Sequence, residues 1–275
     1  MPELPEVETV VRGLAGVLEG QRFATVALRR RDLRIPFPKG LGERLAGRRV
    51  ERIFRRAKYL LMALDSGEAL IAHLGMAGRM LIVKDATPPG RHDHVIFTTE
   101  NGTEVRFNDP RRFGLLTIAP LAELDQHKLV RHLGPDPLDP EFTPVRLRAA
   151  LKGRKTAIKL ALLDQRIVVG VGNIYASESL HAAGISPKRP AGSVTPERLA
   201  RLVAAIKQVL KDAIAAGGSS LRDHIQPSGE LGYFQHAWKV YGREGEPCSC
   251  DPKRAVIKRI TQGARSTFYC PRCQR

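Results

Sequence analysis

The chain has 275 residues, enough for two compact domains that each bury a core. Its 45 Lys and Arg residues outnumber 28 Asp and Glu residues, and the formal net charge of +17 favours a polyanionic partner, nucleic acid first, over an acidic small molecule. No apolar run is long enough to span a bilayer and no signal core follows the N-terminus, which disfavours membrane and secreted proteins.

The N-terminal segment predicts a helix and carries the most unusual chemistry. Apolar residues recur at helical spacing from Val7 to Leu18. A small second residue permits removal of Met1, which leaves Pro2 with a free secondary amine near the positive end of the helix. Such an amine can attack a sugar carbon and form an iminium ion, and Glu3 is a candidate general acid or base. An ordinary helix start, with Pro and acidic residues in the first turn, explains the same residues.

Short β-rich runs between turns from residue 23 to about 119 predict a β-sandwich. Lys58 interrupts one run, "FRRAKYLLM", where it could meet phosphate or move a proton, or form a solvated strand edge. The turns "AHLGMAG" and "NDPRRFG" carry Met76, Arg111 and Phe113. These side chains suit a wedge that fills the gap left by a nucleotide rotated out of a duplex, although buried apolar residues at strand ends would look alike.

The chain then becomes helical. Four prolines within residues 132–144 predict an irregular connection, and Thr195 with Pro196 begins a helix whose apolar face continues until Gly217. Residues 217–234 are polar and Gly-rich, which fits either a mobile loop that closes over a ligand or an ordinary surface loop.

Between these segments, "GRKTAIKLALLDQRIVVGVGNIYASESL" predicts two helices joined by a Gly-x-Gly-Asn turn. Asn173 is expected to cap the second helix, in an arrangement that binds phosphate through backbone N–H groups. Arg154, Lys155 and Lys159 are expected to reinforce that site. A plain helical hairpin is the alternative.

All four cysteines lie within the last 28 residues, as two close pairs separated by a basic β-hairpin. This distribution predicts a tetrahedral zinc site in a reducing compartment rather than a disulfide framework. The first pair has one intervening residue instead of two, which strains chelation by both thiolates and leaves three ligands or none as alternatives. The expected ligands are Cys248, Cys250, Cys270 and Cys273, and Arg265 lies near the predicted turn of the hairpin.

Taken together, these motifs resemble the formamidopyrimidine-DNA glycosylase family, in the family's order and over nearly all the chain. The resemblance implies an α+β multidomain fold with an N-terminal β-sandwich and flanking helix, a helix-two-turns-helix domain and a terminal zinc-finger β-hairpin. We expect an N-terminal catalytic domain at 1–130, a linker at 131–145, the helical DNA-binding domain at 146–235 and the zinc finger at 236–275. DNA is expected to lie in a basic cleft.

The resemblance also implies a role for each site residue. Pro2 is the Schiff-base nucleophile, Glu3 the proton donor in base release and Lys58 the proton donor in β-elimination, while Arg265 acts in δ-elimination and holds phosphate. Met76, Arg111 and Phe113 match the void-filling residues. The DNA contacts that the resemblance implies, besides those three, are His92, Arg154, Lys155 and Asn173.

The expected function is therefore a bifunctional glycosylase and abasic-site lyase that excises oxidised purines, such as 8-oxoguanine and formamidopyrimidines, from double-stranded DNA. We expect a cytoplasmic, nucleoid-associated monomer with one structural zinc ion. Two alternatives stay open: an endonuclease VIII-like enzyme for oxidised pyrimidines, and a non-catalytic zinc-containing DNA-binding protein. The start "PELPEVE", Phe113 and the segment 217–234 favour the purine branch.

Overall fold

A computed structural model describes residues 1–83, 87–219, 227 and 232–275. Two compact units divide the chain: residues 1–132 together with 216–235, and residues 133–215 together with 236–275. Much of the segment 217–234, for which the sequence predicted a mobile or surface loop, lies outside the described residues. The helices of the described residues include none that is both long and apolar enough to cross a membrane.

The first unit is a helix followed by a β-sandwich, as the sequence predicted. Two four-stranded antiparallel sheets have the strand orders β1-β6-β7-β5 and β2-β3-β4-β8. Their elements are α1 (Leu4–Leu18), β1 (Phe23–Leu28), α2 (Leu41–Leu45), β2 (Val50–Arg56), β3 (Tyr59–Leu64), β4 (Glu68–His73), β5 (Arg79–Val83), β6 (Asp93–Thr99), β7 (Glu104–Asn108) and β8 (Leu115–Pro120), with a 3-10 helix at Leu121–Gln126.

One apolar cluster fills this unit. Alternating side chains of both sheets and one face of α1 meet in it, including Leu14, Phe23, Leu60 and Phe97, each fully buried. Burial of apolar area on this scale is the main favourable term in folding, at about 25 cal/mol for each Å². The cluster therefore gives the turns at the ends of the strands a rigid base.

The second unit begins as an irregular, proline-rich connection and becomes helical at Thr143, whose hydroxyl oxygen accepts a hydrogen bond from the Arg146 backbone N–H. Its helices are α3 (Pro144–Leu151), α4 (Ile158–Leu163), α5 (Asn173–Ala182) and α6 (Pro196–Ala215), with a short 3-10 helix at Ala191–Ser193. A further 3-10 helix, Phe234–Ala237, includes the last two residues of the first unit and the first two of the segment 236–275. The start of α6 at Pro196 agrees with the prediction.

The predicted cap of α5 is wrong. Gly172 is the N-cap residue, and Asn173 is the first residue of the helix. The Asn173 side chain is instead hydrogen-bonded to a neighbouring lysine and to Ser266 in the strand at Arg265–Tyr269, as described below.

The last 40 residues form a small finger on the helices of the second unit. Strands β9 (Lys258–Gln262) and β10 (Arg265–Tyr269) make a two-stranded antiparallel hairpin. Its apolar cluster is small: among the described residues it consists of Val240, Cys248, Ala255, Ile257 and Cys270, with Phe268 and Cys273 packed against it. Such a segment needs more than apolar burial to hold its shape.

Candidate active site and nucleic-acid interface

The start of α1 is buried and tightly hydrogen-bonded. Pro2 and Glu3 are both buried, and the Glu3 backbone N–H donates to Glu6 Oε2 at 2.9 Å. Glu6 Oε1 accepts the Ser219 backbone N–H at 2.8 Å, so one buried carboxylate joins the N-terminus to the beginning of the segment 217–234. The predicted nucleophile and its neighbouring acid are thus held in a defined geometry.

Lys58 lies in the turn between β2 and β3 and is only 7% exposed. The alternative that Lys58 forms a solvated strand edge is therefore wrong. Ala57, directly before it, has a φ of 56°, a left-handed backbone that non-glycine residues rarely adopt. Backbone strain of this kind concentrates at functional sites.

His73 shows that Lys58 shares its surroundings with the chain's N-terminus. The pKa of His73 is lowered to about 4, chiefly by burial and in addition by the positive charges of Lys58, Arg34 and the terminal amine. The ring stays neutral, and its Nδ1 accepts the Gly75 backbone N–H at 2.9 Å. Sequence reasoning missed both Arg34 and His73, because single charged residues in a loop and at the end of a strand carry no motif.

The two turns with the predicted wedge residues touch. A Cβ placed on Gly75 would lie 2.4 Å from the carbonyl carbon of Phe113, so the backbones of the turns are in direct contact. Asp109, fully buried, accepts the backbone N–H groups of Arg111 at 3.2 Å and Gly114 at 2.7 Å and fixes the second turn.

The wedge side chains themselves are exposed. Met76 is 39% exposed and Phe113 is 46% exposed, which contradicts the alternative of two buried apolar residues. The Arg111 guanidinium carbon lies 4.9 Å from the centre of the Phe113 ring, a cation–π distance. An apolar and cationic group therefore projects from the sandwich at these two turns.

Left-handed backbone occurs next to three of the residues that the sequence predicted to be functional. Within the described part of the chain, three non-glycine residues have positive φ: Ala57, Arg112 and Ala264. Each one directly precedes a residue that the sequence singled out, namely Lys58, Phe113 and Arg265.

In the second unit a buried lysine organises the predicted phosphate site. Lys159 is fully buried, and its Nζ donates to Asn173 Oδ1 at 2.5 Å and to Thr267 Oγ1 at 2.6 Å. Asn173 Nδ2 donates to the Ser266 carbonyl at 2.9 Å. The expectation that Lys159 contacts phosphate is therefore wrong: its charge is inside the protein and binds strand β10, next to the exposed Arg265.

The remaining predicted DNA contacts are His92, Arg154 and Lys155, and the His92 carbonyl accepts the Asp109 backbone N–H at 3.0 Å. Arg154 and Lys155 are exposed, and Arg154 Nε donates to the Ala150 carbonyl at 2.9 Å. His92 is half-buried in the first unit, and its ring lies edge-on to that of His94 at 6.3 Å.

The four cysteines converge on one point. Their sulfur atoms all lie within 4.8 Å of one another, with Cys248 Sγ 4.0 Å from Cys273 Sγ and Cys250 Sγ 3.7 Å from Cys270 Sγ. Tetrahedral zinc with Zn–S bonds of about 2.3 Å needs sulfurs about 3.8 Å apart, so the set fits a zinc ion. The shortened first pair does not keep either of its thiols out of the cluster, and one structural zinc is assigned to all four.

Three family models match the chain. Formamidopyrimidine-DNA glycosylase N-terminal domain matches residues 1–116, formamidopyrimidine-DNA glycosylase H2TH domain matches 133–224, and the zinc finger found in FPG and IleRS matches 254–275.

Similar proteins are aligned over their whole length. Formamidopyrimidine-DNA glycosylases of Ruegeria pomeroyi and Acidiphilium cryptum are 54% and 55% identical, over all of both chains in each pair. The crystal structure of MutM (Fpg) from Thermus thermophilus has a TM-score of 0.88 at 39% identity, covering 99% of this chain and 98% of that one. A mutant of Lactococcus lactis Fpg in complex with Fapy-dG-containing DNA has a TM-score of 0.90 at 32% identity and full coverage of both chains.

Proposed function

Because the chain belongs to the formamidopyrimidine-DNA glycosylase family, we propose that the residues at the start of α1 and after Ala57 carry out the chemistry of that family here. The protein is a base-excision-repair DNA glycosylase and abasic-site lyase for oxidised purines, and its substrate is double-stranded DNA with damaged bases or abasic sites. The non-catalytic alternative is excluded by this membership.

The proposed reaction begins with the secondary amine of Pro2, freed by removal of Met1. Its nitrogen attacks C1′ of the damaged nucleotide, the bond from C1′ to the base breaks, and Glu3 donates the proton that the departing base takes. The nitrogen then loses its proton, the C1′–O4′ bond breaks and O4′ takes up a proton. The ring-opened iminium ion that results makes the C2′ proton acidic. The buried start of α1 supports this proposal most directly, because Pro2 and Glu3 are already held together there.

Strand cleavage follows from the same iminium ion. Loss of the C2′ proton breaks the bond from C3′ to the 3′ phosphate, and we assign Lys58 as the proton donor of this β-elimination. Its support is the shared environment with the N-terminus around His73. Arg265 is assigned to the second, δ-elimination, in which the 5′ phosphate leaves. The exposed position of Arg265 at the hairpin turn suits a phosphate contact.

Borohydride trapping tests the nucleophile. A duplex with 8-oxoguanine opposite cytosine should give a covalent complex with the wild type, and mass spectrometry of the trapped peptide should identify Pro2 as the attached, first residue. Pro2→Gly should trap poorly, whereas Pro5→Gly, which removes the other proline of the first turn, should still trap. Equal trapping by the Pro2→Gly variant would show that the amine is not the nucleophile.

We further propose that Met76, Arg111 and Phe113 fill the void left by the extruded nucleotide. Their exposure and the Arg111–Phe113 contact support this role. A 2-aminopurine placed opposite an abasic site should gain fluorescence on binding of the wild type and much less on binding of Phe113→Ala. An unchanged gain in that variant would remove Phe113 from the role.

His92, Arg154, Lys155 and Asn173 are proposed as contacts to the DNA backbone. Each contact of a cationic side chain with a phosphate contributes about 0.9 to the slope of log K against log salt. Lys155→Met and Arg154→Met should therefore each reduce that slope by about one for both damaged and undamaged duplexes. A slope equal to that of the wild type would show that the side chain does not meet phosphate.

Comparison of substrates decides between the purine and pyrimidine branches. A solved complex of Lactococcus lactis Fpg contains DNA with an oxidised pyrimidine, so binding alone does not separate the two. We expect faster excision of 8-oxoguanine than of thymine glycol under single-turnover conditions, and the reverse order would favour the endonuclease VIII-like alternative.

We also propose the functional division into residues 1–130, 131–145, 146–235 and 236–275, which the ranges of the three family models support. The compact units divide the chain differently, because residues 216–235 pack with the first unit. A monomer acting in the cytoplasm on the nucleoid fits a DNA substrate and four reduced cysteines. Fluorescence microscopy of a tagged chain, with and without oxidative damage, tests this location.

A further inference from the structure

The two cysteine pairs of the finger are supported differently. Cys270 and Cys273 have two intervening residues, and the backbone N–H groups of Cys273 and Arg272 donate hydrogen bonds to the Cys270 sulfur. Cys248 and Cys250 have one intervening residue, so this pair has one residue fewer with which to form such a turn.

A side chain from outside the finger reaches the first pair. His181 lies in the last turn of α5, and its Nε2 is 3.4 Å from Cys248 Sγ, which is fully buried. A cysteine bound to zinc is a thiolate and can only accept a hydrogen bond. The proton of this contact must therefore be on His181 Nε2. A neutral ring with its proton on Nε2 can donate to the sulfur without adding a buried positive charge.

We propose that His181 donates an N–H···S hydrogen bond to the zinc-bound Cys248 thiolate and so supports the shortened cysteine pair from outside the finger. Groups in this position orient the ligand and reduce the charge of a four-thiolate site, and their loss weakens metal binding about 10-fold to 100-fold. This inference goes beyond the proposed function, because it concerns how zinc is held and needs no assumption about the reaction.

The His181 contact is one of three places at which α5 is hydrogen-bonded to the finger. Asn173, at its first residue, binds the Ser266 carbonyl, and Glu178 in its middle accepts the backbone N–H groups of Val240 at 3.0 Å and Tyr241 at 2.8 Å. His181 adds the zinc site at the other end. Zinc binding and the position of this helix are therefore linked.

Zinc affinity of the full-length protein tests the proposal. Competition with a chromophoric chelator should show that His181→Phe, which keeps the ring shape without the N–H, binds zinc about 10-fold to 100-fold more weakly than the wild type. His181→Gln should keep most of the affinity, because its amide Nε2 can donate from a similar position. His132→Phe, at an exposed histidine of the other unit, is the matched control.

A measurement on the wild type keeps the test independent of how the variants fold. In the protein loaded with ¹¹³Cd, a coupling between the metal and the His181 Hε2 proton should be seen by NMR across the hydrogen bond. Zinc affinity of His181→Phe equal to that of the wild type, or the absence of this coupling, overturns the proposal. A one-bond coupling from ¹¹³Cd to a ring nitrogen also overturns it, since His181 would then be a ligand.

Discussion

Two hairpin turns of this protein each place a basic residue directly after a left-handed alanine, but the apolar clusters of the regions to which the turns belong differ greatly in size. In the β2–β3 turn the left-handed Ala57 precedes Lys58, and in the β9–β10 turn the left-handed Ala264 precedes Arg265. The first turn stands on an apolar cluster of 23 buried residues, whereas the cluster under the second has five buried residues among those described.

Different forces therefore hold the two turns. Apolar burial and close packing make the first one rigid. The second depends on four thiolates, on the buried Lys159 and on the tail of the chain, where Gln274 accepts the Cys270 backbone N–H at 2.7 Å and donates to the Ile185 carbonyl at 2.9 Å. A basic residue can be positioned equally well by either means, but the second means fails when a single polar or metal contact is lost.

Removal of zinc should have the largest effect, because it should unfold the region of the second turn and leave that of the first turn folded. Structural zinc contributes on the order of 10 kcal/mol to the folding of small fingers, so chelation should unfold the finger while the sandwich stays folded. Trp238, the one tryptophan of the chain, belongs to the second unit and reports its state by fluorescence. We expect a red shift of its emission and loss of strand nicking, with slow amide exchange kept in β3 and β4. Unchanged emission after full removal of zinc would contradict this dependence.

Lys159→Met should weaken the second turn without touching the metal. It leaves Asn173 Oδ1 and Thr267 Oγ1 without their buried donor, which costs about 2–3 kcal/mol. Urea unfolding followed by Trp238 fluorescence measures the loss. Lys155→Met, at an exposed lysine nearby, is the control and should change the free energy of unfolding by less than about 0.5 kcal/mol. A loss no larger than that of the control would show that the buried ammonium is not a structural link.

The first turn should instead be sensitive to pH through His73. Its pKa is about 4 in the folded protein and about 6.5 when unfolded, so the unfolded chain binds the proton more readily. Its contribution to stability is complete above pH 6.5 and is lost as the pH falls toward 4, by up to about 3 kcal/mol.

Comparison of the wild type with His73→Asn isolates this contribution. Asn can still accept the Gly75 N–H but does not titrate, so the difference in unfolding free energy between the two proteins should change between pH 7 and pH 4.5. His132→Asn should leave the profile of the wild type unaltered. Parallel profiles for wild type and His73→Asn would contradict the shift.

The smallest expected effect is the change in unfolding free energy when a left-handed alanine in either turn is replaced by glycine. A left-handed alanine costs about 1–2 kcal/mol, of which the greater unfolded-state entropy of glycine cancels about half. Ala57→Gly and Ala264→Gly should each stabilise their unit by about 0.5–1 kcal/mol in chemical denaturation. Ala63→Gly, in the extended strand β3, should destabilise by a similar amount. Destabilisation by Ala57→Gly would mean that the alanine methyl is needed for packing.

The sequence was sufficient wherever the signal is local. Apolar spacing predicted α1 and the helix from Pro196, and alternating runs with turns predicted the sandwich, because these patterns reflect burial of neighbouring residues. Close cysteine pairs predicted the metal site, since a chelate needs ligands near in sequence.

What could not be predicted depends on partners far away along the chain. Lys159 looks like a surface lysine until strand β10, more than 100 residues later, is folded against it. The same holds for His181 beside Cys248, and for His73, whose pKa is lowered chiefly by burial and in addition by the charges of Lys58, Arg34 and the N-terminus. The cap of α5 was assigned to Asn173 for a related reason: a short-range preference lost to a long-range hydrogen bond.

The contact between Gly75 and the backbone of Phe113 limits how the two turns that carry Met76 and Phe113 can be altered. No side chain fits at position 75, because the backbone of Phe113 occupies the space that a Cβ would need. The conformations of the two loops therefore depend on each other. A loop graft from a relative that is meant to change which lesion is accepted should therefore exchange the Gly75 and Phe113 loops together. A single exchanged loop would contact a second loop whose backbone does not match it.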